Sequence, residues 1–127
     1  MPPIARRLPA LALVLASVAP APAGEADVIA AEAVRGADGA WRVSATVRHA
    51  DEGWDHYADA FEVLAPDGTV LETRALRHPH VDEQPFTRSV SVVVPDGIAR
   101  LVVRARDSVH GHGGTTVTID LPGEAAR

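Results

Sequence analysis

The chain of 127 residues contains no cysteine and no lysine, and its single methionine is Met1. The absence of cysteine excludes a disulfide scaffold, a thiol enzyme, a thiolate metal site and a lipid-anchored cysteine. The fold must therefore be held together by core packing alone. The length suffices for one small domain.

Long hydrophobic runs are also scarce, and the one that exists lies at the start. The arginine pair Arg6–Arg7 precedes the apolar run Leu8–Val18, and the small-residue motif Ala21–Ala23 follows it. This order is typical of a secretory signal peptide, and the run is shorter than the roughly 20 apolar residues of a membrane span. We expect a signal peptide at 1–23, no membrane span, and a single periplasmic or secreted domain at 24–127.

Positive charge is limited, with 12 arginines against 17 acidic residues and a formal net charge of −5. Removal of residues 1–23 takes away two arginines and no acid, so an exported chain would be more acidic still. Phosphate binding needs a concentrated positive patch, which such a composition does not favour. The sequence therefore excludes nucleic acid as a partner and disfavours acidic membrane surfaces.

After residue 25 the dominant pattern is period-two alternation interrupted by turn signals, of which Pro-Asp-Gly at 66–68 and 95–97 are the clearest. This pattern predicts an all-β chain, a seven-stranded antiparallel β-sandwich of the immunoglobulin or fibronectin type III kind, with a barrel as the alternative. The expected strands are Asp27–Arg35, Trp41–His49, His56–Leu64, Val70–Arg77, Phe86–Val94, Ile98–Asp107 and Gly114–Leu121.

All six histidines fall in three of the connecting segments, at 49–56, 78–85 and 107–114. In a sandwich of this topology the three segments lie at one end of the domain, opposite the tight turns. The histidines are His49, His56, His78, His80, His110 and His112. The sequence therefore predicts a cluster of imidazoles at one end of the sandwich.

Two His-x-His pairs within these loops indicate metal binding. In extended backbone, residues two apart point to the same side, so one pair can hold one ion. Imidazole suits Zn(II), Cu(II) and Ni(II), and without thiolate or thioether ligands any copper would be held as Cu(II). The expected ligands are His78, His80, His110 and His112, followed by His56 and then His49. Carboxylates that could complete the shell are Asp51, Glu52, Asp55, Asp82, Glu83 and Asp107.

Each of these side chains also has a purely structural interpretation. His49 continues the inward phase of its strand and could cap the core, and Trp54 could either cover the sandwich end or form a wall of a site. Asp59 and Asp107 share the inward phase of their strands. A buried carboxylate needs a partner, and Arg88 is available, so we expect an Asp–Arg network beneath the loops.

Three segments carry a resemblance to known sequences. WDHYAD at 54–59, HPHVDEQPFTRS at 78–89 and DSVHGHGG at 107–114 resemble a set of small exported bacterial β-sandwich proteins that are uncharacterised. The similarity covers most of residues 40–121. It implies a secreted sandwich and brings no activity with it.

Three classes of function follow from these observations. The first is an exported module that carries, buffers or delivers Zn(II) or Cu(II), with an exported protein as a possible partner. The second is a metal-free module that recognises a protein or glycan through the same loops, with Trp54, Tyr57 and Phe86 at the contact. The third, an enzyme, is least favoured, because no serine lies in a nucleophile-elbow pattern and a sandwich end offers little cleft.

Overall fold

The computed structural model describes residues 24–122, so the expected signal peptide and the last five residues lie outside the described part. Seven strands are present, and each corresponds to an expected one. They are β1 (Asp27–Arg35), β2 (Trp41–Arg48), β3 (Ala58–Leu64), β4 (Val70–Ala75), β5 (Phe86–Val92), β6 (Arg100–Asp107) and β7 (Val117–Asp120). The described residues contain no helix, and hence none of the length and apolarity that a membrane crossing requires.

The strands form two antiparallel sheets. The three-stranded sheet has the order β1-β2-β5, and the four-stranded sheet has the order β4-β3-β6-β7. Every neighbouring pair is antiparallel. Strands β4 and β5 are both edge strands, and the chain passes from one sheet to the other between them.

The core between the sheets is filled by the alternate residues of the central strands. On β2 the predicted inward face is confirmed, because Trp41 and the small or branched residues at 43, 45 and 47 are all buried. Leu101, Val103 and Ala105 of β6 face them from the other sheet, and Phe61 and Phe86 are the largest fully buried side chains. Removal of this apolar surface from water is the main stabilising contribution to such a fold.

The same alternation carries two polar side chains inward at one end of the core. Asp107 is the last residue of β6 and continues the buried phase of that strand, with no exposed surface. His49 follows the last residue of β2 and continues its buried phase, with 3% of its surface exposed. The inward position expected for His49 is therefore observed. The strand periodicity that builds the core thus also places an imidazole and a carboxylate together at its end.

The β6–β7 loop is closely packed against the start of the described chain. The amide of Val28 donates to the carbonyl of Thr115 at 2.9 Å, and the amide of Thr115 donates to Oδ1 of Asp27 at 2.7 Å. A Cβ atom on Gly114 would lie 2.0 Å from the carbonyl oxygen of Ala26, so only glycine fits there. This contact holds the first described residues beside the end of the core that carries His49 and Asp107.

Candidate metal centre

Three imidazoles surround a single oxygen of the Asp107 carboxylate. Oδ2 of Asp107 lies 3.1 Å from Nε2 of His49, 3.4 Å from Nε2 of His56 and 3.0 Å from Nδ1 of His110. The side chains of Asp107 and His49 are fully buried, and that of His56 is 11% exposed. The β2–β3 loop, which carries His49 and His56, and the β6–β7 loop, which carries His110, therefore meet at one carboxylate oxygen.

The second oxygen of Asp107 is bonded to the backbone of the loop that follows β6. The amides of Val109 and His110 both donate to Oδ1, the former at 2.8 Å. Burial alone would raise the pKa of this carboxyl, but the His110 amide and imidazole and the Val109 amide outweigh it. The pKa of Asp107 consequently lies well below its ordinary value, and the group carries its negative charge inside the core.

His49 is fixed from both sides of its ring. Nδ1 lies 2.6 Å from Oδ1 of Asp51, and Nε2 lies 2.9 Å from the carbonyl oxygen of Gly24. Asp51 is itself held, because its Oδ1 accepts from the amide of Ala58 at 3.1 Å and its Oδ2 from the amide of His80 at 2.7 Å. The orientation of His49 is therefore determined by a carboxylate that is immobilised by backbone donors.

His56 repeats this arrangement at a more exposed position. Its Nδ1 lies 2.8 Å from Oε1 of Glu52, while its Nε2 points to Asp107. The hydrogen bond to Glu52 raises the pKa of His56 above 6.5, opposed by burial and assisted by Asp107. The ring packs between His49 and His110, with centroid separations of 4.8 and 5.0 Å.

The arrangement brings potential metal ligands close together. Among the residues that the structure describes, His49, His56 and Asp107 form the one group of at least three potential ligands whose donor atoms all lie within 4.8 Å of one another. At Zn–N distances of 2.0–2.1 Å, two tetrahedral ligands lie roughly 3.3 Å apart. The contacts of Asp107 to His49 and His56, at 3.1 and 3.4 Å, bracket that separation.

The number of available protons leaves two ways to stabilise the contacts to Asp107. A neutral imidazole has one N–H group, and metal-binding histidines almost always donate it to a carboxylate, carbonyl or water. If Nδ1 of a neutral His49 donates to Asp51, its Nε2 turns a lone pair toward the Asp107 carboxylate. The same holds for His56 if its Nδ1 donates to Glu52. Two lone pairs at hydrogen-bond distance repel each other. A second proton on each ring, or one cation between the nitrogens and the oxygen, removes that repulsion.

The structure places His78 and His80 on the other side of Asp51. Their ring centroids are 4.6 Å apart, and the ring of His80 stacks on Phe86 at 3.8 Å with an angle of 10°. Nε2 of His80 accepts from Arg88 at 3.1 Å, and its Nδ1 is buried without a hydrogen-bond partner. Burial and then the charge of Arg88 lower the pKa of His80. This pair is linked to the centre through the His80 amide, which donates to Asp51, and through Gln84, which accepts from the His49 amide and donates to the His80 carbonyl.

His110 and His112 are separated by the backbone between them. Gly111 adopts φ of +73°, so the loop is not extended and the two side chains do not share one side. His110 reaches Asp107, whereas Nε2 of His112 lies 3.0 Å from Oε1 of Glu62, which also accepts from Arg104 at 2.7 Å. Of the six expected ligands, the structure thus gathers His49, His56 and His110 around Asp107.

The expected Asp–Arg network is found only at Asp59, and Arg88 as its arginine is wrong. Arg88 donates to the carbonyl of Thr87, to His80 and to Glu83, while Asp59 pairs with Arg106 at 2.6 Å. Asp107 is instead compensated by imidazoles and backbone amides, because its position at the end of β6 lies beneath the loops that carry the histidines. The sequence offered no signal for the Gly24 carbonyl.

Trp54 neither covers the core nor lines the centre closely. Its side chain is 67% exposed and meets Tyr57 edge to face, with ring centroids 5.7 Å apart. The polar cluster, rather than an aromatic lid, therefore closes this end of the sandwich.

Comparison with known proteins gives one informative match. A protein of Halomicrobium mukohataei that bears the name "Putative lipoprotein" is 42% identical over 84 residues, which cover 66% of this chain. The same region covers 41% of that protein, so the chain spans about two fifths of the length of this relative. No protein-family model and no solved structure matches the chain. The match supports the resemblance to uncharacterised proteins and brings no activity with it.

Proposed function

We propose that this protein is an exported metal-binding β-sandwich module that holds Zn(II) or Cu(II) between His49, His56 and Asp107, with His110 beside them. The observation that carries the proposal is the approach of three imidazole nitrogens to one oxygen of a buried, ionised carboxylate. The hydrogen bonds that Asp51 accepts from His49 and Glu52 accepts from His56 supply the carboxylate–histidine pairing that orients ligands in metal sites.

The donor set favours these two metals over the other common ions. Imidazole nitrogen with one carboxylate oxygen suits Zn(II) and Cu(II), whereas Mg(II) and Ca(II) prefer shells of oxygen. The chain has no cysteine, and its only methionine is Met1, so a soft site for Cu(I) has no ligands within residues 24–122. Copper at this centre would be held as Cu(II).

Export and fold type complete the proposal. The leader at 1–23, with a single domain at 24–127, and the name of the relative, which is called a lipoprotein, support a periplasmic or secreted location. The sheet orders β1-β2-β5 and β4-β3-β6-β7 support a sandwich of the immunoglobulin or fibronectin type III kind. Carriage, buffering or delivery of the metal to another exported protein is the role that fits such a small domain.

Titration calorimetry of the chain beginning at Gly24 with Zn(II) and with Cu(II) tests the proposal. The variant His49→Ala/His56→Ala should lose sub-micromolar binding of one ion per chain. The matched control His78→Ala/His112→Ala removes the same number of imidazoles and should bind as the wild type does. Because His49 is buried, the single variant His56→Ala and an amide NMR spectrum of each protein separate lost ligands from lost fold.

The control also tests the remaining predicted ligands. The sequence predicts His78, His80 and His112 as ligands as well, and that stays a prediction. If the control variant loses binding while the His49→Ala/His56→Ala variant keeps it, the ion lies at the His-x-His pairs and the centre at Asp107 is not the site. If the folded wild type binds neither ion, metal binding is refuted.

A metal-free recognition module is the second candidate, and one observation favours it. Each of the three histidine loops exposes a large apolar side chain: Trp54 is 67%, Val81 55% and Val109 58% exposed. Exposed apolar side chains on neighbouring loops are typical of a contact surface for a protein or glycan. A folded wild type without metal affinity, together with partner binding that Trp54→Ser abolishes, would establish this function instead.

A further inference from the structure

A second polar site lies outside the proposed metal centre, at the open edge where β4 faces β5. It is a groove of about 550 Å³. Every ionisable side chain on its wall is basic: Arg74, Arg77, Arg88, His78 and His80. Ligand clefts commonly have volumes of roughly 300–1,000 Å³. The groove is therefore large enough for a small organic molecule, and no carboxylate lines it.

The guanidinium of Arg74 is fixed across the edge of the sandwich. It arises from β4, and its Nη1 donates to the carbonyl of Ser89 on β5 at 2.8 Å, while its Nε donates to the carbonyl of Ala75 at 3.3 Å. Its Nη2 group makes no hydrogen bond to the described part of the chain. A planar guanidinium that is already held in place has free donors for a second planar group.

Arg88 is fixed on the opposite wall. Its Nη1 donates to the carbonyl of Thr87 at 2.8 Å, and its Nη2 lies 3.1 Å from Nε2 of His80 and 3.4 Å from Oε1 of Glu83. Glu83 is 60% exposed, so this ion pair is screened by solvent and contributes little. Two arginines thus enter the groove from different sheets, each held in place by hydrogen bonds.

The positive charge of Arg74 and Arg77 is not balanced by a neighbouring carboxylate, and that of Arg88 is balanced only by the exposed Glu83. Within residues 24–122, Arg100, Arg104 and Arg106 each contact a carboxylate at 2.6–2.9 Å, whereas Arg74 and Arg77 have none within 4.0 Å. This concentration of cationic groups occurs on a chain whose net charge is −5. Guanidiniums that face one cavity, two of them held by hydrogen bonds, are an arrangement that binds oxyanions.

We propose that this groove binds a small multivalent oxyanion, an organic molecule bearing carboxylate or phosphate groups, through Arg74, Arg77 and Arg88. Both groups present two coplanar oxygens to a guanidinium and accept two parallel hydrogen bonds. The site does not depend on the metal centre, although the His80 amide and Asp51 join the groove to His49.

A titration of metal-free, ¹⁵N-labelled protein tests this assignment, with pyrophosphate and succinate as separate probes. Saturable shifts of the Arg74 and Arg88 side-chain signals and of the His80 amide are expected with at least one probe. Binding of pyrophosphate alone identifies a phosphate ligand, and binding of succinate identifies a carboxylate ligand. The absence of a saturable shift with both probes at millimolar concentration would overturn the proposal.

Charge-matched variants separate this site from diffuse attraction. Arg74→Gln/Arg77→Gln should lower the affinity for the probe by roughly tenfold or more, because charge-assisted bidentate hydrogen bonds are lost. Arg42→Gln/Arg48→Gln removes the same charge from exposed positions on β2 and should change the affinity little. Equal weakening by both pairs would overturn the proposal. Arg77→Gln alone provides the same comparison if loss of Arg74 disturbs the β4–β5 edge, with Arg42→Gln as its control.

Discussion

Nδ1 of His49 lies 2.6 Å from Oδ1 of Asp51, and both side chains have no exposed surface. Asp51 also accepts hydrogen bonds from the amides of Ala58 and His80, so the carboxylate cannot turn without breaking backbone contacts. This pair fixes the orientation of the His49 ring and directs Nε2 toward Asp107. Asp51 is thus the residue through which the loops that follow β2 and β4 position the centre.

The first prediction concerns the residues that orient the ligands. Asp51→Asn should weaken binding of the metal about 10–100-fold, the usual cost of losing a carboxylate behind a ligating histidine. Glu52→Gln should cost less, because Glu52 is 60% exposed and water can replace it behind His56. Calorimetric titration with Zn(II) measures both variants. Equal losses, or a greater loss for Glu52→Gln, would contradict the assigned roles.

Acid should destabilise the metal-free protein partly through Asp107. Its pKa is lowered on folding, so its ionised form contributes stability above the ordinary pKa of 3.8, and that contribution is lost as the pH falls toward the folded pKa. Asp107→Asn should therefore show a shallower decrease of the free energy of unfolding between about pH 5 and pH 2. Denaturant melts across this range measure the slope. The same slope in both proteins would show that Asp107 does not titrate with folding.

His56 should give the metal-free protein the opposite pH dependence. Its pKa is raised on folding, so its contribution is fully present below pH 6.5 and is lost as the pH rises through the raised value. A bound metal requires neutral imidazoles, and the stabilisation that it provides should therefore grow over the same interval. Melting temperatures with and without Zn(II), measured against pH for wild type and His56→Gln, test both signs. Metal stabilisation that grows as the pH falls would be inconsistent with imidazole ligands.

The packing of the β6–β7 loop against the start of the described chain gives a matched pair of glycine variants. A Cβ at Gly114 would meet the Ala26 carbonyl oxygen at 2.0 Å, whereas one at Gly113 would meet only the side chain of Glu25, at 2.8 Å. Backbone cannot move aside as an exposed side chain can. Gly114→Ala should therefore cost about 3 kcal/mol in the free energy of unfolding and Gly113→Ala about 1 kcal/mol or less, measured by urea denaturation. A reversed order would mean that the loop is not docked there.

The strands could be predicted from the sequence because period-two alternation directly reflects burial on one face of each strand. The errors lie at the strand ends. The third strand was expected from His56 and begins at Ala58, and the seventh was expected from Gly114 and begins at Val117. In both cases the missing residues bond outside the sheet of their strand: His56 contacts Glu52 of the same loop, and Thr115 contacts Val28 of β1 in the other sheet.

The candidate site could be predicted only in part. The gathering of histidine loops at one end follows from topology, and the inward phase of β2 and β6 predicts the burial of His49 and Asp107. Which histidines reach Asp107 depends on the conformation of the loop backbone, and strand periodicity does not describe that conformation. The positive φ of Gly111 separates His110 from His112, and the Gly24 carbonyl reaches His49 through a contact between segments distant in the chain.

The most direct test of the central claim is a crystal structure of the chain soaked with Zn(II), with anomalous diffraction collected at the zinc edge. The account predicts one anomalous peak per chain about 2.0–2.1 Å from Nε2 of His49 and of His56, with Asp107 as an oxygen ligand. A fully occupied peak at His78 and His80, or none in a well-folded crystal at saturating zinc, would contradict it.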